Sequence, residues 1–361
     1  MNRLKMIAER REQILGENPH WVKEIAAIRK DSIGNLSQLL SQSQETLKSK
    51  GCNVYIAVDK KDAQKTVRGL FVGQNQVVRT YSSALREIAF DHLLSHMGIT
   101  VHKSLLAEII GDYLDDASTG HPFLPHFDLD KDTVIKALQE FLQSKDVASP
   151  EEWNRAAQQK IKDSILPCEF GVTGVNGISA ENGTIIVTED EGNCRAVSNL
   201  PYKHLAVAGI EKIVSTVEES LKIQECQSIF GLGRRTPTYY SLISGPSRTG
   251  DIEFRITYGM HGPKEVHVIL LDNGRKNLVD QGFGELLKCI DCGACYESMA
   301  DLAARNGWTG IPLTPKGIAL GIAQGVLPQP TSEQSMAEFD CPVEINSPGL
   351  GPILPQIESM D

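Results

Sequence analysis

The sequence has little that would carry the protein out of the cytoplasm or into a membrane. Its first twenty residues contain no apolar core of the kind that secretory signals need. The most apolar late stretch, 311–327, is interrupted by Pro312, Pro315 and Lys316, which does not suit a membrane-spanning helix. We therefore expect a cytoplasmic protein with no membrane span.

Positive charge is also scarce. Lys and Arg together number 36 against 46 Asp and Glu, so the formal charge is −10. Binding to nucleic acid requires a basic face that neutralises phosphates, and the composition argues against such a partner. Hydrophobic residues make up 41% of the 361 residues, which is enough for a sizeable core in two domains or in one large domain with an appendage.

After a polar, helical region at 1–50, the chain alternates strand-like and helix-like segments. Strands are predicted at 53–58, 76–79, 100–102, 170–174, 183–188, 204–209, 239–243, 252–258 and 265–271. Helices are predicted at 83–97, 131–143, 211–225 and 275–288, and Asp130 and Ser149 are predicted N-caps. The alternation predicts an α/β fold with a mixed, largely parallel sheet and flanking helices at 51–275, antiparallel in part because the last three strands lack helices between them. A small segment at 276–361 follows.

Eight cysteines are distributed unevenly. Four are scattered singly and are expected to be buried or inert thiols, since a reducing compartment disfavours disulfides. Cys289, Cys292 and Cys295 instead form C-x2-C-x2-C, and Cys341 is followed by proline. This spacing is typical of an iron–sulfur cubane, because two-residue gaps let successive thiolates converge on one concavity. We predict one [4Fe–4S] cluster on these four cysteines, in a ferredoxin-like segment.

Zinc is the main structural alternative to the cluster. A structural zinc site usually pairs two C-x2-C knuckles, whereas here a triple is joined by one distant cysteine. The third interpretation is that the cysteines bind no metal. A second cluster is not predicted, because Met299 stands where a two-cluster ferredoxin has a further cysteine.

Long stretches of the sequence resemble the lactate utilisation (LUD) domain family, and specifically its iron–sulfur B subunit. The matching segments are 170–176, 180–184, 191–195, 200–204, 209–214, 241–253, 261–263 and 267–275, within a likeness that spans roughly residues 20–345. The resemblance implies an electron-transfer subunit of a lactate-oxidising complex, with other redox subunits as partners. The chain departs from the family in keeping the cysteines of one cluster where the B subunit usually carries two sets.

The resemblance also implies a fold similar to the sugar-phosphate isomerase and coenzyme A transferase superfamily. Those transferases carry a catalytic glutamate in a Glu-Asn-Gly-like turn, which Glu181, Asn182 and Gly183 match. The alternative is that Asn182 and Gly183 simply make a hairpin turn before the next strand.

One candidate binding turn is the sequence GPSRTG at 245–250, between two predicted strands. Ser247 and Thr249 supply hydroxyl groups, and Arg248 supplies a two-donor fork that suits a carboxylate or phosphate of a small anionic substrate. The alternative is an ordinary polar connection in which Arg248 pairs with a nearby carboxylate.

A second candidate turn carries Glu191, Asn193 and Arg195 after another predicted strand. These residues face the same crevice as Arg248 if the sheet is parallel there, because ligands of open α/β sheets bind beyond the carboxyl ends of the strands. The alternative is a solvated loop. His261, in an HGP turn, is a candidate proton shuttle near neutral pH, against the simpler role of a structural histidine.

Three functions compete. The first is the electron-transfer subunit, which needs a further redox centre on a partner: lactate oxidation moves two electrons, and a cubane normally carries one. Gly231 and Gly233 also lack the third glycine of a dinucleotide fingerprint. The second is an isomerase or acyl-transfer enzyme that uses Glu181 and keeps a structural cluster. The third is a redox-sensing, ligand-binding protein.

His121 and His126, which lie near acidic residues in the sequence, are a further candidate metal site.

Overall fold

The computed structural model describes residues 2–17, 20–114, 129–144, 149–252, 255–297, 314–324 and 341–345, so His121 and His126 lie outside it. The helices are α1 (Asn2–Gly16), α2 (Trp21–Gly34), α3 (Leu36–Ser49), α4 (Lys60–Leu70), α5 (Ser83–Glu87), α6 (Phe90–His96), α7 (Leu106–Gly111), α8 (Lys131–Leu142), α9 (Pro150–Ile165), α10 (Asn193–Asn199), α11 (Val217–Leu232), α12 (Arg275–Asp280) and α13 (Pro315–Ala323). The strands are β1 (Asn53–Ala57), β2 (Gln76–Arg79), β3 (Thr100–Lys103), β4 (Phe170–Gly174), β5 (Gly177–Ser179), β6 (Ile185–Glu189), β7 (Lys203–Gly209), β8 (Ile213–Val214), β9 (Tyr239–Ile243), β10 (Arg248–Ile252), β11 (Arg255–Tyr258) and β12 (Glu265–Leu271).

Six of the described strands form one parallel sheet in the order β1-β12-β7-β4-β2-β3. Its central strands are buried on both faces. Along β12, Val266, Val268 and Leu270 belong to one core, and Ile269 and Leu271 belong to the other. Parallel sheets need two covered faces, and here α4, α5 and α6 cover one while α3 and a second sheet cover the other. The predicted α/β fold with a largely parallel sheet and flanking helices is confirmed.

The antiparallel pairs of the described residues lie outside that sheet. Strands β8-β5-β6-β9 form a small mixed sheet, and β10 pairs only with β11 in the described part of the chain. The predicted strand at 252–258 is confirmed over Arg255–Tyr258, as β11, whereas Ile252 ends β10, which runs antiparallel to β11 with Arg248 opposite Tyr258. The residues of β11 are mostly exposed, so this hairpin lies on the surface and does not contribute to the core.

Two helix starts match the sequence closely. The Asp130 carboxylate accepts hydrogen bonds from the N–H groups of Asp132 and Thr133, both at 2.9 Å, at the start of α8. The Ser149 hydroxyl accepts one from Glu152 N at 3.2 Å, and proline occupies the first position of α9. Both predicted N-caps are confirmed. In the described part of the chain, no helix combines the length and the apolar character that crossing a membrane requires.

Other predicted helices have different bounds. The predicted helix 83–97 is divided at Ala89, which has a φ of 51°. The predicted helix 211–225 is wrong at its start: 210–214 form a 3-10 turn and β8, and α11 begins only after Thr216. Thr216 and Glu219 form a reciprocal capping box there. Gly233 ends α11 with a φ of 64°, as a helix C-cap glycine does.

The N-terminal helix α2 packs on the C-terminal segment. Ile25 and Ile33 share one hydrophobic core with Leu278, Leu287 and residues of the cysteine loop. The described residues of the regions 1–50 and 276–361 therefore share one hydrophobic core.

Candidate functional site

The carboxyl ends of the parallel strands define what we call the carboxyl edge of the sheet. Glu211 follows β7 at this edge, Arg275 follows β12, and Asn176 follows β4. Ligands of open α/β sheets bind at this edge. The chain runs from β12 into α12 and then into the cysteine loop, so the cysteine loop also lies on this side of the sheet.

The four predicted ligand cysteines line one cavity. Cys289, Cys292 and Cys295 come from the loop that follows a 3-10 turn at Gly284–Lys288, and Cys341 comes from the segment 341–345. The exposed fraction is 8% or less for each of the first three. The remaining wall is formed by small and apolar residues, namely Ile290, Gly293, Ala294, Thr314, Pro315, Pro342 and Val343. The structure therefore brings the distant Cys341 back to the triple.

Burial governs the protonation of these thiols. It raises the pKa of Cys289 to about 12 and is also the largest cause of the raised pKa values of Cys292, Cys295 and Cys341. The thiols are thus protonated at neutral pH unless a metal displaces the protons. Within the described ranges, no three His, Cys, Asp or Glu side chains are grouped closely enough to hold a metal ion as they stand.

A buried network of charges attaches the cysteine loop to the carboxyl edge. Arg275 donates to both carboxylate oxygens of Glu87 at 2.9 Å and also to Glu211. Lys316 on α13 lies 3.2 Å from Glu211 and also bonds Asp291, which stands between Cys289 and Cys292. Burial alone would raise the pKa of Glu211, but Arg275 and Lys316 outweigh it and hold that pKa well below its ordinary value. The network joins the turn after β7 and the helices α5, α12 and α13 to the loop.

Arg29 on α2 connects the N-terminal helices to the same place. Its guanidinium donates to the carbonyl oxygens of Leu287 at 2.6 Å, Lys288 at 3.0 Å and Glu211 at 2.8 Å. Arg29 lies in the region 1–50, which the sequence pattern predicts only as polar helix. It follows the apolar stretch 25–28 and precedes Lys30 and Asp31, so its local sequence does not distinguish it from an ordinary surface arginine.

The predicted turn with Glu191, Asn193 and Arg195 forms the start of α10. The carboxylate of Glu189, at the end of β6, accepts a hydrogen bond from Arg195 N at 2.8 Å, and Asn193 Nδ2 lies 3.4 Å from Ser104 Oγ. The side chain of Arg195 stacks on an aromatic ring of β9, and Glu191 is exposed. The premise of a parallel sheet is wrong here, because β6 runs antiparallel to both of its neighbours.

The residues of the GPSRTG segment lie at the opposite, amino edge of the parallel sheet. Ser247 N donates to the carbonyl oxygen of Pro263 at 2.9 Å, two residues before β12 begins, and Ser247 Oγ accepts from His261 N at 3.1 Å. Arg248 and Thr249 are the first residues of β10, and Arg248 is exposed. The structure thus brings Ser247 and His261 together. It does not place them on the same edge as the cysteine loop.

Glu181 lies on the exposed turn between β5 and β6. Asn182 Oδ1 accepts from Thr184 N at 3.1 Å, and Gly183 has a φ of 69°, which is the local geometry of the hairpin-turn interpretation. Glu181 and Glu191 stand at opposite ends of β6, whose five residues span roughly 17 Å. The predicted catalytic and binding residues therefore do not form one site.

Comparison with known proteins identifies the domain that carries this edge. The sequence profile of the LUD domain matches residues 40–271, from within α3 to the end of β12. The chain belongs to the LUD domain family. The match includes Glu211 and ends four residues before Arg275, and the four cysteines come after it.

Several curated proteins are similar to this LUD-domain chain. The "Uncharacterized electron transport protein YkgF" of Escherichia coli (strain K12) is 32% identical over 299 residues, which cover 82% of this chain and 60% of that protein. A "Lactate utilization protein B" of Macrococcus caseolyticus is 29% identical, with 81% and 60% covered. Another, of Lysinibacillus sphaericus, is 28% identical, with 92% and 70% covered. The chain thus spans about 60% of the length of the first two relatives.

A solved structure also matches the LUD-domain chain. It is a "duf162 family protein from deinococcus radiodurans", which covers 65% of this chain and 98% of its own length at 14% identity, with a TM-score of 0.32.

Proposed function

We propose that this chain is an iron–sulfur electron-transfer subunit of a lactate-oxidising complex, with one [4Fe–4S] cluster on Cys289, Cys292, Cys295 and Cys341. One observation carries the proposal: these four cysteines, of which Cys289 and Cys341 are 52 residues apart in the sequence, line a single cavity. Four thiolates are the complete ligand set of one cubane.

The surroundings of the cavity suit a cluster. The wall of the cavity consists of small and mostly apolar residues. Asp291 N lies 3.4 Å from Cys289 Sγ, so a backbone N–H already points at the sulfur of a predicted ligand. Hydrogen bonds to sulfur and burial are two of the means by which proteins set a cluster's potential. In a cubane each cysteine binds a different iron, so the ligands need not crowd around one ion as they do in a zinc site. When bound, the cluster supplies one-electron transfer.

The proposed role in lactate oxidation rests on the names of the similar proteins and on the membership of this chain in the LUD domain family. Two of the similar proteins carry the name lactate utilization protein B, and a third is called an electron transport protein. This chain spans only about 60% of the first two. We infer that a second redox centre, on a partner subunit, takes part in the two-electron oxidation, and that the isolated chain does not complete it.

The alternative acyl-transfer reaction would use Glu181. That carboxylate stands exposed on a hairpin turn, away from the carboxyl edge, so its position does not favour this function. Redox sensing would use the same four cysteines and is separated from electron transfer by the experiment below.

Anaerobic purification followed by iron, sulfide and flavin analysis tests the proposal. We expect about four irons and four sulfides per chain and no flavin. Mixed with its partner subunits, the loaded chain should lose its visible absorbance band when L-lactate is added. Stoichiometric zinc without sulfide would contradict the cluster. A full cluster that lactate never reduces in the complex would contradict the electron-transfer role and favour a sensor.

A further inference from the structure

A second cavity lies at the carboxyl edge, beside the cysteine loop. The space between its lining residues is about 340 Å³ and is partly open to solvent. Its wall combines the end of β4, the turn after β7, helices α2 and α11, and the loop residues Cys289 and Ile290. A depression of this size suits a ligand of a few atoms but not a dinucleotide.

The wall carries more positive than negative charge. Arg29, Lys212 and Lys316 face two carboxylates, because Asp291 lies in the wall and Glu211 lies 3.2 Å from Lys316. Asp291 is already bonded to Lys316 and lies 4.0 Å from Lys212, while Arg29 is bonded to neutral carbonyl groups. The exposed side-chain fraction is 19% for Lys212 and 6% for Lys316. The three cations exceed these two carboxylates by one charge, and a bound anion would balance that buried excess.

Two buried polar atoms in the same wall lack a partner among the described residues. Ser220 Oγ and Gln224 Oε1 make no hydrogen bond, although Ser220 is 1% exposed and Gln224 is 2% exposed. Gln224 uses its Nε2 to donate to Asn176 O at 3.2 Å, which leaves the Oε1 as a free acceptor. Gly177 makes room for the hydroxyl, since a Cβ there would lie 2.0 Å from Ser220 Oγ. Buried polar groups of this kind normally have partners.

We propose that this cavity binds a small carboxylate that also carries a hydroxyl group. The carboxylate of the ligand contacts Lys212, and Arg29 and Lys316 lie behind Lys212. Ser220 Oγ donates a hydrogen bond to the ligand's carboxylate. The ligand's hydroxyl donates to Gln224 Oε1, which an unsubstituted fatty acid cannot do. The ligand class follows from the cavity; equating the ligand with lactate rests on the proposed function. The bound acid lies against the Cys289 loop.

The same cations have a competing role, which is to balance the negative charge of the cysteine thiolates. The two roles differ in what they predict. A pure charge-balancing role requires no ligand and leaves Ser220 and Gln224 unused. A binding site requires measurable affinity for a hydroxy acid and an effect of Ser220 that does not depend on charge.

Calorimetric titration of the full chain, purified anaerobically as it is isolated, with L-lactate, propionate and sodium sulfate tests the proposal. Lactate should bind more tightly than propionate, since propionate lacks the hydroxyl. Lys212→Met should weaken lactate binding about tenfold or more, and Ser220→Ala should weaken it several-fold, in line with hydrogen bonds to a charged group. Lys162→Met, which removes an exposed charge on α9, should bind as the wild type does. Iron content is measured for each variant.

Three results would overturn the proposal. One is no lactate binding by the wild type at millimolar concentration. Another is equal affinity for lactate and propionate. The last is a loss of lactate binding in Arg248→Met together with unchanged lactate binding in Lys212→Met, which would place the site at the amino edge. Lactate binding by a chain that contains no iron would sink the proposed cluster and leave the cavity assignment standing, so the two failures are distinguishable.

Discussion

Glu211 is the central anion of the buried network, and Glu211→Gln should destabilise the protein by about 3 kcal/mol. Glu211 is 1% exposed and pairs with Arg275 and Lys316, which are 2% and 4% exposed. Removing one partner from a buried pair typically costs about 3–5 kcal/mol. We expect the lower end, because Arg275 keeps Glu87 and Lys316 keeps Asp291. That is a large share of the roughly 5–15 kcal/mol that keeps a domain folded.

Urea unfolding followed by circular dichroism under anaerobic conditions measures this loss. Because the folded-state pKa of Glu211 lies below its unfolded value, the stabilisation is complete above about pH 4.3 and is lost as the pH falls below it. The difference between wild type and variant should therefore be constant from pH 5 to 8 by the same linkage. The matched control is Glu218→Gln, whose side chain is 77% exposed and whose ion pair with Lys222 is screened by solvent, so the variant should unfold nearly as the wild type does. Equal losses in the two variants would refute the reasoning.

Three further predictions concern the scaffold and the isolated chain. Gly183→Ala should lower the free energy of unfolding more than Gly192→Ala does in the same urea assay. Both glycines have positive φ, but only a Cβ at position 183 would meet backbone, at 2.6 Å from Thr46 C. Equal losses in the two variants would argue against the close approach. Thr216→Ala should cost about 1 kcal/mol, because it removes the capping box of α11, and an unchanged midpoint would contradict this. The isolated chain should reduce a one-electron dye only slowly with lactate, and robust turnover without partner or added flavin would reveal another redox centre.

Local signals account for the elements that the sequence predicted well. Ser149 followed by proline marks the start of α9, because a cap depends only on the next three residues. The β-branched run of β12 matches its prediction from Glu265 to Leu271, since a strand buried on both faces has a continuous apolar pattern. The C-x2-C-x2-C spacing and the proline after Cys341 predicted that the four cysteines lie together, and they line one cavity, while the cluster itself stays a prediction.

The rest depended on contacts between residues far apart in the sequence. Glu211 fits helical spacing, but its partner Arg275 lies 64 residues away, and the chain at 210–214 forms a turn and a short strand instead. Arg29 bonds Lys288 across 259 residues, so no local pattern could assign it to the cysteine loop. The residues of the GPSRTG segment predict a binding turn, but the edge of the sheet on which the segment lies depends on the strand order, which those residues do not determine.

The most direct test of the central claim is the iron content and the reduced-state electron paramagnetic resonance spectrum of Cys341→Ser, purified anaerobically beside the wild type. Cys168→Ser is the matched control, since Cys168 is 4% exposed and lies in a separate hydrophobic cluster. The account predicts about four irons per chain in the wild type and in Cys168→Ser, and loss or alteration of the cluster in Cys341→Ser. Full iron and an unchanged spectrum in Cys341→Ser would contradict it.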